Sequence, residues 1–112
     1  IYTLSLHDAL PISILLGEPD TAMYFESAID LLSCYQLHRS KLTHHILVSM
    51  GGLNNSVIEE LSKVRPQLTH WLCVDIDPAG DNFIGDMQRT MSVKVFRPPT
   101  GKDWNEYLID LN

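Results

Sequence analysis

The chain has 112 residues and a formal net charge of −6. That length fits one small domain, and the acidic balance argues against nucleic-acid binding through overall charge. A hydrophobic content of 45% with 20% charged residues is that of a globular fold, and no apolar run is long enough to span a membrane. The two cysteines, Cys34 and Cys73, both fall in apolar segments. They read as reduced, buried thiols of an intracellular, cytoplasmic protein and not as a disulfide framework or a zinc site.

Residues 1–13 lack the periodicity of a packed element. The stretch from Thr3 to Ile12 resembles the conceptual translation of a common sequencing adapter, so residues 1–13 are expected to be non-native and to stand apart from the fold. A secretory signal is the rival reading, but it lacks a basic start, and Asp8 interrupts its apolar run. The domain proper is then 14–112, the C-terminal part of a longer protein.

Residues 14–20 form a lead-in with a turn at Gly17 and Pro19. Thr21 to Phe25 reads as a strand closed by Glu26. Ser27 to Leu37 reads as a helix, with Ala28, Leu32 and Tyr35 on one face. Asp30 follows Glu26 by four residues, which brings the two acids together if Glu26 begins the helical turn. His44 and His45 precede the second strand, Ile46 to Met50. Adjacent strand residues point opposite ways, so these histidines read as surface or strand-end residues and not as a metal pair. Gly51 and Gly52 then make a glycine-bearing turn; such turns let backbone N–H groups approach a phosphate, but Gly-Gly falls short of a complete phosphate-loop motif and by itself reads as a plain tight turn. Ser56 and Glu59 have capping-box spacing, and Val57, Leu61, Val64 and Leu68 give a helical stripe.

The organising stretch is His70 to Asp81. An apolar strand over 70–76 ends in two carboxylates, Asp75 and Asp77. Pro78 suits a first helical position with Asp77 as its cap, and Gly80 would let that helix sit close to the strand. In extended geometry Asp75 and Asp77 face one side. Their mutual repulsion calls for a cation or a proton between them, and hard oxygen ligands suit Mg²⁺. The helix over 78–91 puts Ala79, Phe83, Met87 and Met91 on one face. Val93 to Phe96 is a fourth strand, alternating in polarity as at an edge. Arg97 to Gly101 is a stiff loop, and a last helix opens with Asp103 as its cap and Trp104, Tyr107, Leu108 and Leu111 on its apolar face.

The β-α-β-α-β-α-β-α order predicts a Rossmann-like, three-layer α/β/α fold with a parallel sheet of about four strands. Glu26 at the end of the first of these strands and Asp75-Ile76-Asp77 at the end of the third share the carboxyl side of that sheet, where such folds place ligands.

This joint placement resembles the Toprim domain of primases, topoisomerases and some nucleases. The resemblance rests on Phe25-Glu26-Ser27-Ala28-Ile29-Asp30, Ser49-Met50-Gly51-Gly52, Asp75-Ile76-Asp77-Pro78-Ala79-Gly80 and Gly101-Lys102-Asp103-Trp104-Asn105-Glu106, and spans nearly all of residues 21–111. It is closest to the C-terminal Toprim domains of primase-like proteins from plasmids, phages and other mobile elements. Ile76 departs from the usual small residue, with its side chain expected to face away from the metal. The resemblance implies Mg²⁺ held by Glu26, Asp75 and Asp77, with Mn²⁺ as a substitute. It also implies Glu26 as general acid or base and Asp30 as a supporting acid. From the residues themselves, Lys102 and Arg97 are candidates for phosphate contact, and Asp103 reads as a helix cap only. The expected activity is RNA primer synthesis from nucleoside triphosphates on single-stranded DNA, with a helicase or an N-terminal domain as partner. The alternatives are nuclease- or topoisomerase-type phosphodiester chemistry, or a noncatalytic DNA-binding module of a mobilisation protein.

Overall fold

Short apolar runs between glycine- and proline-bearing turns set the strands, and polar caps set where each helix begins. The computed structural model describes the backbone of residues 2–4, 12–16 and 18–112, and the side chains from residue 18 onward. Its elements in order are β1 (Tyr2–Leu4), β2 (Ile12–Leu16), β3 (Thr21–Phe25), α1 (Ala28–His38), a 3₁₀ turn (Arg39–Lys41), β4 (His45–Ser49), α2 (Asn55–Val64), β5 (Thr69–Leu72), α3 (Pro78–Thr90), β6 (Lys94–Val95) and α4 (Trp104–Asp110).

The sheet order is β1-β2-β4-β3-β5-β6. Strands β4, β3, β5 and β6 are mutually parallel, as expected. Strand β2 adds to the β4 edge antiparallel, from Leu16 opposite His45 to Ile12 opposite Ser49, and β1 pairs antiparallel with β2. The expectation that residues 1–13 stand apart therefore meets two backbone-paired strands. How far their side chains are buried lies outside the described residues.

Side-chain alternation along the strands divides the core into two layers. Ala22, Tyr24, Ile46, Val48, Leu72 and Val74 pack under Val57, Ile58 and Leu61 of α2 and Ile84 and Met87 of α3. On the opposite face Met23, Phe25, Leu47 and Cys73 pack under Leu31 and Cys34 of α1 and Trp104 of α4. Both thiols are free and buried, and burial pushes that of Cys34 up to about 12. Tyr24 and His70 are a buried polar pair between β3 and β5, the hydroxyl lying 2.8 Å from the imidazole Nδ1.

Several local expectations are corrected. The buried face of α1 is Asp30, Leu31, Ser33 and Cys34, with Tyr35 packed at its side; Leu32, expected on that face, is 52% exposed. The helix turns this way because Asp30 and Ser33 find partners on α4. Helix α2 is capped by Asn54, whose side chain accepts from the Ser56 N–H, so the expected Ser56–Glu59 box is not the cap. Val64 is exposed and leaves the stripe. Strand β5 ends at Leu72, four residues before the expected end at 76. Strand β6 is an edge of two exposed residues, and its shortness limits pairing with another chain.

Candidate metal and phosphate site

Three segments of the chain reach the carboxyl end of the parallel strands and meet there. The first is the β3–α1 junction. Phe25 ends β3, Glu26 follows, and Ser27 caps α1. The Glu26 side chain accepts a hydrogen bond from the Asp75 N–H at 2.6 Å, and its own carbonyl accepts from the Gly52 N–H at 2.7 Å. Glu26 thus ties together the ends of β3, β4 and β5. Gly51 and Gly52 hold φ of 70° and 116°, the left-handed region that a glycine enters without steric cost.

The second segment follows β5. Extended geometry would place Asp75 and Asp77 on one side, but the Asp77 N–H bonds the Asp75 carbonyl at 3.1 Å, closing a tight turn that separates their roles. Asp77 caps α3 through the Gly80 N–H at 2.7 Å, as expected. Its other oxygen lies 3.7 Å from the Lys102 ammonium. Ile76 points outward, 41% exposed. Gly80 is required, since a Cβ there would overlap the Asp75 carbonyl oxygen.

The third segment is the loop after β6. The Lys102 carbonyl accepts from the Ile76 N–H at 2.7 Å, pinning this loop to the acidic turn. Asp103 caps α4 through the Glu106 N–H, as expected, and it also reaches the site. Among the described residues, carboxylate oxygens of Asp30, Asp75 and Asp103 lie within 4.8 Å of one another. Sequence reading gave Asp103 only its cap. The usable signal was its place after the fourth parallel strand, on the same sheet edge as Glu26 and Asp75.

The electrostatics are those of crowded acids. Asp75 is pushed up to about 7, by burial first and then by the charges of Glu26, Asp30 and Asp103. Asp30 is buried and also raised, by burial above all, although hydrogen bonds from the Ser27 hydroxyl and the Asn105 N–H favour its charged form. Arg97 forms an ion pair with Asp81 at 2.7 Å and donates to the carbonyls of Val74 and Asp75. Its guanidinium braces the backbone beneath the acids. Lys102 is the more exposed cation, at 55%, and among the described residues its ammonium has a long contact with Asp77.

Residues 23–108 match the family described as Toprim-like. The chain is 40% identical over 116 aligned residues to the uncharacterized protein pXO2-78 of Bacillus anthracis, covering 84% of this chain and 33% of that protein. Its fold is similar to the crystal structure of the primase fragment of the bacteriophage T7 primase-helicase, with a TM-score of 0.62 and 19% identity. That match covers 84% of this chain and 41% of the T7 chain. A second similar structure holds T7 primase domains bound to an RNA/DNA hybrid and dTTP, together with the T7 lagging-strand DNA polymerase. There the TM-score is 0.61 at 19% identity, over 84% of this chain and 50% of that one. The chain therefore spans about a third of its curated relative and at most half of these structures.

Proposed function

The chain belongs to the Toprim-like family, and from that premise we propose that it carries the catalytic centre of a Mg²⁺-dependent, primase-like nucleotidyltransferase. The observation that carries the reading is the meeting of Asp30, Asp75 and Asp103 beside Glu26 at the strand ends. The donor set fits the metal. Three carboxylates within reach of one another, one of them raised to about 7 by burial and then by the charges of Glu26 and of the other two, form a site with an excess of negative charge. Asp30, Asp75 and Asp103 would hold the ion, with Glu26 and Asp77 at its margin. When bound, Mg²⁺ supplies counter-charge for nucleotide phosphates and for charge developing in phosphoryl transfer.

The chain's own residues supply positioning and proton transfer. Glu26, fixed by the Asp75 N–H, is placed to take a proton from an attacking hydroxyl. Lys102 can leave its weak pairing with Asp77 for a phosphate, because an exposed ion pair of this kind contributes little. Arg97 would have to give up Asp81 to do the same, so its first role is bracing. Gly51 and Gly52 hold the turn that supports Glu26. The substrates of this reading are nucleoside triphosphates and single-stranded DNA, with Mn²⁺ able to replace Mg²⁺. The partners are a helicase or an N-terminal domain, in the cytoplasm of a cell carrying a plasmid, phage or other mobile element.

The test is primer synthesis by the full-length protein on single-stranded template with labelled nucleotides. Glu26→Gln keeps the acceptor for the Asp75 N–H but loses the ionisable group. The rate should fall by about 10²–10⁴, the usual range for acid–base catalysis, with template binding retained. Wild-type synthesis in this variant would remove the proton-transfer role. Cleaved product in place of polymer would assign the site to nuclease chemistry. Mg²⁺-dependent DNA binding without turnover would make it a binding module.

A further inference from the structure

At the opposite end of the sheet from the acids lies a cavity of about 360 Å³ whose lining includes Thr21, His38, Lys41, His45, Trp71 and Phe96. Thr21 and His45 open β3 and β4, so this pocket sits at the amino ends of the strands, roughly 13 Å along β3 from Phe25 at about 3.3 Å per residue. Helix α4, on the same face of the sheet, has only seven residues. The walls are aromatic. Phe96 packs against both Trp71 and His38, at centroid distances of 6.5 Å and 5.4 Å. Two imidazoles line the space, and each keeps a buried nitrogen, His38 Nε2 and His45 Nδ1, without a hydrogen-bond partner among the described residues. Such groups cost free energy until something bonds them. One lysine lines the cavity and a second lies over one of its walls. Lys41 stands beside His38, and the Lys94 ammonium lies 5.3 Å over the Trp71 ring. The nearby acid Asp20 is engaged by the Thr21 hydroxyl.

We propose that this cavity is a second nucleotide site, separate from the acidic centre, that takes one nucleobase with its phosphate at the lysine rim. An aliphatic ligand would use the apolar walls but leave both imidazole nitrogens unpaired and the lysines without a function. A bare anion would use the lysines alone. A planar heteroaromatic ring with edge donors and acceptors uses all three features: it stacks on Trp71 or Phe96, bonds His38 and His45, and directs its phosphate to Lys41 and Lys94. The volume is at the lower end for ligand pockets, which suits one nucleoside and not a folded segment. The ligand is a free nucleotide or one nucleotide of a strand, the recognising chemistry being the same.

The test is residue-resolved NMR of the chain in chelator, so that the acidic centre takes no part. The probes are adenosine monophosphate, adenosine, inorganic phosphate and a short oligo-dA. The nucleotide should shift the Trp71 indole and the resonances of Thr21, His38 and His45, saturably and without moving Glu26 or Asp75. Adenosine, or Lys41→Gln with the nucleotide, should bind about tenfold more weakly, a loss of about 1.4 kcal/mol. Shifts from both mononucleotide and oligomer assign a free nucleotide, and shifts from the oligomer alone assign a strand. No saturable shift with any probe at about 10 mM, where binding is too weak to be specific, would overturn the site. So would shifts confined to the acidic end, or inorganic phosphate matching the nucleotide. Because metal is absent throughout, the outcome stands whether or not the primase reading holds.

Discussion

Asp75 stands among three other acids whose charges oppose its own. Its carboxyl is raised from an ordinary 3.8 to about 7, so the folded state keeps a proton that the unfolded chain has already released. Stability in chelator should therefore fall as pH rises from about 4 to about 7. The buried His70 and the half-buried His38 and His45 act the other way, because their values are lowered by desolvation and their contribution improves as pH rises. Thermal melts of wild type and Asp75→Asn across that window separate the two. The difference between them should grow with pH, and a constant difference would refute the assignment. Mg²⁺ binding should strengthen over the same range, since the metal competes with the proton. Asp103 gives a second discrimination. Asp103→Asn keeps an acceptor for the Glu106 N–H and so preserves the cap, while removing one of the three converging charges. The variant should melt no lower than wild type in chelator yet bind Mg²⁺ more weakly by calorimetry. Lost stability with unchanged metal affinity would leave Asp103 a cap and nothing more.

At the scale of elements, the turn between β5 and α3 decides the site. Pro78 and the Asp77 cap start α3 immediately after the acids, and Gly80 lets its first turn sit against the Asp75 carbonyl. Arg97 reaches the same carbonyl from the loop after β6. Gly80→Ala should cost about 1–3 kcal/mol, the range for forced overpacking, and should also weaken metal binding because Asp75 must move. Denaturant melts with calorimetry check both. A stable variant with unchanged affinity would mean that the turn relaxes without cost. The helix caps Asp77 and Asp103 were legible in the sequence because a cap and the N–H that donates to it lie within one turn. The orientation of α1 was not. Its apolar spacing allowed two faces, and the choice was made by Asp30 and Ser33 meeting Asn105 across the α1–α4 contact.

Across the whole molecule, both layers of the core lie between Ala22 and Trp104 among the described residues. We therefore infer that 14–112 is the folding unit and that residues 1–13 are dispensable to it. Deleting 1–13 should preserve a single cooperative melt, shifted by no more than a few degrees, as followed by circular dichroism. Loss of cooperativity would make β1 and the start of β2 part of the fold. Among the described residues no helix is long and apolar enough to cross a membrane. The sequence by itself determined the parallel β-α succession, most helix starts, and the positions of Glu26 and Asp75 at strand ends, because apolar periodicity and capping act over a few residues. Only the tertiary structure decided which acids meet. That depends on β3 lying between β4 and β5 and on the turn that takes Asp77 to α3. It depends also on the β6 loop delivering Asp103 from 28 positions beyond Asp75. The antiparallel strands at the β4 edge and the cavity at the amino ends of the parallel strands belong to the same class, since pairing and coverage are settled by the distances between elements in space and not by residue spacing along the chain.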